Sequence, residues 1–135
     1  MAVKLARTSD PIIGDSLVVD IVGKYPQDSK LRGARMDFTG AAFWITLKDV
    51  LADADALADI QGDTTNEGAW FSVGTPATNG EITITVPAAS TAALTAGRLY
   101  YTDIQVKLAG GEIYTLVRDE LRFIAQVTIA STPHA

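Results

Sequence analysis

The chain has 135 residues, an apolar fraction of 47% and 11 Lys and Arg against 16 Asp and Glu, for a net charge of -5. This is one domain's worth of chain with apolar material for its own core, and it is too acidic to grip nucleic-acid phosphates or anionic lipid non-specifically. There is no cysteine, and the one histidine, His134, stands next to the last residue, so thiol chemistry, cysteine-ligated metals and a histidine triad are excluded together.

Met1 to Ala6 carry one lysine and a few apolar residues before Arg7, Asp10 and Pro11 intervene, so no signal-peptide hydrophobic stretch forms. No apolar run approaches the roughly 18 to 20 residues that cross a bilayer. A soluble chain with no membrane partner is expected, with residues 1–10 an N-terminal arm, 11–131 the folded domain and 132–135 a C-terminal tail.

Gly14-Asp15-Ser16 reads as a turn feeding a strand. From Ser16 onward, period-two patterning dominates. In Ser16 to Val22, Leu17, Val19 and Ile21 share one face; in Ala42 to Lys48, Phe43, Ile45 and Leu47 do. The run Asp49 to Ile60 is rich in Ala and Asp with Val50, Ala54, Leu57 and Ala58 at helical spacing, so it reads as a short amphipathic helix or as a long acidic loop. Residues 62–68 and 74–80 are rich in Gly, Thr and Asn and read as loops. Glu81 to Val86 interleaves Ile82, Ile84 and Val86 with Glu81, Thr83 and Thr85.

Ala88 to Ala96 lies between Pro87 and Gly97, with Ser90 or Thr91 available to cap, which predicts one or two helical turns. Arg98 to Leu108 is the longest alternation, with Tyr100, Thr102, Ile104, Val106 and Leu108 on the core side. Gly110-Gly111 marks a hairpin into Glu112 to Val117. After the polar break Arg118-Asp119-Glu120, a further strand runs from Leu121 to Ile129 with Leu121, Phe123, Ala125, Val127 and Ile129 facing one way. Gly23, Gly33, Gly40 and Gly97 fall between patterned runs and read as turn residues. Strands joined by turn signals around one core predict an all-β fold, an immunoglobulin-like antiparallel β-sandwich with one or two short helical segments.

The candidate chemistry is thin. Asp53, Asp55, Asp59 and Asp63 are the only local set of metal-ligand residue types, but an EF-hand loop starting at Asp53 would need an oxygen ligand and a glycine where the chain has Leu57 and Ala58. Asp103, Glu112, Asp119 and Glu120 come near one another in a hairpin and could in principle act as an acid and base pair, yet the outward face of a half-buried sheet has the same composition. No G-x-S-x-G spacing surrounds Ser16. No catalytic, metal or cofactor residue is assigned, and an enzyme is not expected. Trp44, Trp70, Leu99 and Tyr101 are the candidate interface residues, since aromatic and apolar groups on an open sheet face contact proteins or stack on sugars.

The order of short motifs carries one resemblance. Gly14-Asp15-Ser16 precedes a strand, and Asp37-Phe38-Thr39-Gly40-Ala41 runs into the strand Ala42 to Lys48. Ala54 to Leu57, Glu81 to Val86, Thr91-Ala-Ala-Leu94 and Gly97-Arg-Leu-Tyr-Tyr101 follow, the last leading into Asp103-Ile-Gln-Val106. Gly110-Gly111 then precedes Tyr114-Thr-Leu-Val117, and a last strand passes through Val127-Thr128. From about Pro11 to Ser131 this order resembles a family of small tailed-bacteriophage structural domains, of the kind found at the N-terminus of baseplate upper proteins.

The resemblance implies an immunoglobulin-like sandwich that serves as a non-catalytic connector in a virion. It implies other phage virion proteins as partners, a homo-oligomer with a trimer favoured and a protein made in the bacterial host cytoplasm and found in the virion; no cofactor is expected, and the acidic charge balance argues against nucleic acid. Baseplate upper proteins continue well past this domain whereas the present sequence ends at Ala135, so tail, baseplate, head-tail connection and head decoration all remain open. The alternative, read from the aromatic residues, is a carbohydrate-binding β-sandwich module used in host recognition.

Overall fold

The computed structural model describes residues 11–50 and 58–125. The expected arm at 1–10, the tail at 132–135, and Val127 and Ile129 of the last expected strand lie outside the described residues.

Among the described residues, seven strands form two antiparallel sheets: β1 (Leu17–Val22), β5 (Glu81–Val86) and β4 (Phe71–Val73) make a three-stranded sheet in the order β1-β5-β4, and β3 (Ile60–Asp63), β2 (Ala42–Lys48), β6 (Leu99–Lys107) and β7 (Ile113–Arg122) a four-stranded one in the order β3-β2-β6-β7. The strand orders correspond to the B-E-D and C′-C-F-G sheets of an immunoglobulin-like sandwich. The segment before β1 crosses to the other sheet, where Ile12 bridges Ile124 in parallel.

Alternation fixes which faces meet. Leu17, Val19 and Ile21 with Ile82, Ile84 and Val86 cover one inner face; Phe43, Ile45 and Leu47 with Tyr100, Ile104 and Val106 cover the other, and all are buried. Two residues from the non-repetitive segment before β2, Met36 and Phe38, are also buried, and the Phe38 ring meets Phe43 edge-on at 4.9 Å. Tyr100 meets Phe123 edge-on at 6.0 Å, and its hydroxyl accepts the Thr95 N–H at 2.8 Å. A buried tyrosine is thereby left with no unsatisfied oxygen.

Several expectations change. The return of the β6-β7 hairpin is one strand that runs through Arg118-Asp119-Glu120 without a break; the register slips between Ile104 and Gln105, so Leu116 is an extra, bulged residue. A bulge inserts one residue and shifts the alternation by one, which is why the continuous strand reads as two. Ala125 is exposed and not part of the inner face.

The helix at Ala88–Thr91 has Pro87 as its N-cap, with no side-chain cap; neither Ser90 nor Thr91 caps it. Of the run 49–60, residues 51–57 lie outside the described residues. Its described ends are not helical: Asp49 and Val50 bend, and Ile60 opens β3. The expected loops contain structure as well, namely the end of β3, the first residue of a 3-10 turn at Gly68–Trp70 and a 3-10 turn at Ala77–Asn79, while β4 lies between the two loops. Gly23 is no turn residue. It extends β1, donating its N–H to the Gly80 carbonyl at 2.8 Å, and an added Cβ would lie 2.6 Å from the Phe38 ring.

Candidate functional site

The outer face of the four-stranded sheet gathers most of the polar and aromatic side chains of interest, because the register sets them in rows. Asp63, Trp44, Gln105 and Thr115 form one row across β3, β2, β6 and β7; Gln61, Thr46, Asp103 and Arg118 form the next; Lys48, Tyr101 and Glu120 the third; Leu99 and Arg122 the last. In the first row, Trp44 Nε1 donates to Gln105 Oε1 at 2.8 Å and Gln105 Nε2 donates to Thr115 Oγ1 at 3.2 Å. Half-buried Trp44 is thus fixed by a relay that spans three strands.

Among these rows lies a groove of about 500 Å³ lined by Thr46, Lys48, Tyr101, Thr102, Asp103, Arg118, Asp119 and Glu120. Cations and carboxylates alternate across it, since Asp103 stands opposite Arg118 in register. Elsewhere on the surface the Arg98 guanidinium pairs with the Asp49 carboxylate at 3.0 Å. This arrangement offers planar polar groups and one aromatic ring, which suits contact with a polar surface.

The interface candidates do not form one patch. Trp44, Leu99 and Tyr101 share the outer face, each half-buried. Trp70 sits elsewhere: it closes the 3-10 turn Gly68–Trp70 and packs against the core, its ring lying where a Cβ on Gly62 would stand. Trp44 and Tyr101 are separated by four residues of register, about 13 Å along the strands, with Thr46 and Asp103 between them.

The carboxylates also separate by role. Asp103 and Glu120 line the groove, Asp119 Oδ1 accepts the Glu120 N–H at 2.8 Å, and Glu112 belongs to the β6-β7 turn, where it folds over Gly110. Of the acidic run, Asp53 and Asp55 lie outside the described residues, and Asp59 Oδ2 accepts the Asp49 N–H. Asp63 organises a turn: its Oδ1 accepts the N–H groups of Thr65 and Asn66 at 2.9 and 2.7 Å. The Asn66 backbone N–H first, then the Asn66 side-chain amide, hold the Asp63 carboxyl below its ordinary pKa. Thr39 does the same to Asp37 through its hydroxyl and then its N–H. Among the described residues no group of three or more His, Cys, Asp or Glu is placed to hold a metal ion, and no helix is long and apolar enough to cross a membrane.

Sequence reasoning put Trp44 and Tyr101 on the outward faces, where they are. It missed the relay through Gln105 and Thr115, and it missed the pairing of Asp103 with Arg118 across β6 and β7. Compared with known proteins, the chain matches no family model and no curated sequence.

Proposed function

We propose that this chain is a non-catalytic structural module of a tailed-bacteriophage virion, a connector that works by contact with other copies of itself and with other virion proteins of the tail, baseplate, head-tail connection or head. The order of motifs from Pro11 to Ser131 is the source of the phage reading. The observation that carries the connector role is the placement of apolar side chains on the solvent sides of both sheets. Val18 and Val22 stand out from β1 with 57% and 44% of their surface exposed, and Trp44, Leu99 and Tyr101 lie on the outer face of the other sheet. A module with contact surfaces on both faces can join two neighbours. Mass spectrometry of purified particles from the source phage tests the reading: the protein is expected among the virion components, and its absence there would sink the proposal.

One observation favours a second reading, a carbohydrate-binding module. Tyr101 shares its groove with Asp103, Arg118 and Glu120, and a ring beside planar polar groups is what sugar binding uses. Against it, Trp70 is not on that face and Trp44 is offset. A glycan array with wild type and Tyr101→Ala decides it, since a ligand lost on that substitution supports the reading and an array without signal removes it.

A further inference from the structure

Among the described residues each sheet ends in an edge strand on either side, and an unused edge invites unwanted pairing unless something blunts it. Three of the edges are blunted by visible devices. On β3, Glu67 Oε1 accepts the outward N–H of Asp63 at 3.0 Å. The β4 strand, Phe71–Val73, is three residues long and runs into Pro76. On β7, Asp119 takes the Glu120 N–H, while Ile124 is tied to the segment before β1 by bonds to Pro11 and Ile13.

The β1 edge has no such device among the described residues. The Gly23 N–H points to Gly80, the residue just before β5, and strand groups alternate sides, so Ile21, Val19 and Leu17 face β5 while the N–H and C=O groups of Val18, Asp20 and Val22 face away. No hydrogen bond between described residues fills those positions. The chain just upstream is committed to the other sheet, through the Ile12–Ile124 bridge and the turn at Gly14. The exposed side chains along the edge are β-branched Val18 and Val22, with Asp20 between them held by the Thr83 hydroxyl at 2.6 Å.

We infer that the β1 edge is the contact for a second copy of this chain, paired antiparallel about a two-fold axis through Val18. Among axes through the middle of β1, self-complementarity selects this register. A two-fold through Asp20 would set carboxylate against carboxylate, which is repulsive, and one through Val19 would set each Asp20 against Val18. A two-fold through Val18 sets Val18 against Val18 and each Asp20 carboxylate opposite a Ser16 hydroxyl that can donate to it. Leu17 and Val19 of the two copies then meet on the core side, and the three-stranded sheets join into one. The inference rests on the connector reading for its purpose but not for its test, which needs only purified protein. Strand pairing of this length covers little area compared with a stable interface, so the association is weak in solution and strengthens where copies are held close.

The chain lacks cysteine, so single thiols report the register. In a hydrogen-bonded antiparallel pair the Cα atoms lie about 5.5 Å apart, within disulfide reach, so Val18→Cys should oxidise to a covalent dimer. Two Val22→Cys thiols would be about 27 Å apart in the same register. The expected result is cross-linking at least about tenfold faster for Val18→Cys than for Val22→Cys, because only the former brings the sulfurs into bonding range. Val18→Lys, at an exposed position, should keep its melting temperature and lose the concentration-dependent dimer seen by sedimentation. Equal rates for the two thiols, no cross-link at Val18, or an association of wild type that survives Val18→Lys, including a trimer, would overturn the proposal.

Discussion

Thr91, buried in the single helical turn Ala88–Thr91, donates its hydroxyl to the Asp15 carbonyl at 2.7 Å and accepts the Gly14 N–H at 3.1 Å. One side chain therefore clips the turn that starts β1 to the crossover between β5 and β6, parts of the chain 76 residues apart. Removing the hydroxyl at constant shape leaves a carbonyl and an N–H without partners in a half-buried place. Thr91→Val should cost about 1 to 3 kcal/mol, the range for unsatisfied buried groups, read as a lower urea midpoint with unchanged slope. Thr91→Ser, which keeps the oxygen, should recover most of the loss, and a Val variant as stable as wild type would show that the clip contributes nothing.

Thr102 is the opposite case. It is 1% exposed on the inner face of β6, and its hydroxyl finds no hydrogen-bond partner among the described residues. An unsatisfied buried hydroxyl is destabilising, and replacing it with a methyl of the same shape recovers the desolvation loss. Thr102→Val is therefore expected to raise the urea midpoint, corresponding to about 0.5 to 1.5 kcal/mol. A drop of the same size would mean that the hydroxyl has a partner after all.

The pKa of Asp63 sets an acid limit. Its folded-state value is lowered from the ordinary 3.8 by the Asn66 backbone N–H and side-chain amide, so the folded state binds the proton less readily than the unfolded state. The stabilisation is fully present above pH 3.8 and is lost as pH falls through the lowered value. Asp37, lowered by Thr39, adds to the loss with the same sign. Asp63→Asn should show a shallower fall of urea midpoint between neutral pH and strong acid than wild type, with the difference confined to the acid end. Parallel curves for the two proteins would remove Asp63 from the account of acid sensitivity.

The sandwich was legible where alternation ran long enough to state its phase. Leu17 to Ile21, Phe43 to Leu47 and Ile82 to Val86 each repeat an apolar residue at every second position, Tyr100 to Val106 does so with Thr102 as the one polar member, and all four sets are buried. The β3 strand, Ile60–Asp63, was not legible because it is four residues long and contains Gly62, whose missing side chain makes room for Trp70. The bulge at Leu116 hid the length of β7 by shifting its phase, so that inward-pointing Asp119 looked like part of a turn. For the site, strand patterning gave the faces of Trp44 and Tyr101, but a residue's row depends on cross-strand register. The relay from Trp44 through Gln105 to Thr115 and the pairing of Asp103 with Arg118 exist only once β2, β6 and β7 are aligned. Trp70 lies in a 3-10 turn with no period to read.

Asp119 supplies the last prediction. It occupies an inward position on edge strand β7, opposite buried Thr102, and its carboxylate occupies the N–H of Glu120, a donor that would otherwise face a passing strand. Inward-pointing charges on edge strands discourage edge-to-edge pairing. Asp119→Val removes the charge, frees the Glu120 N–H and substitutes a residue of high strand propensity. The variant should keep a melting temperature within a few degrees of wild type in dilute solution, because the position is at an edge and half-exposed. It should also associate or precipitate at protein concentrations where wild type stays clear. Static light scattering across a concentration series measures this, and Asp119→Lys, which restores a charge on the same edge, should suppress the scattering. If Asp119→Val remains as soluble as wild type, the carboxylate is not a guard, and the contrast between the blunted β7 edge and the open β1 edge loses one of its supports.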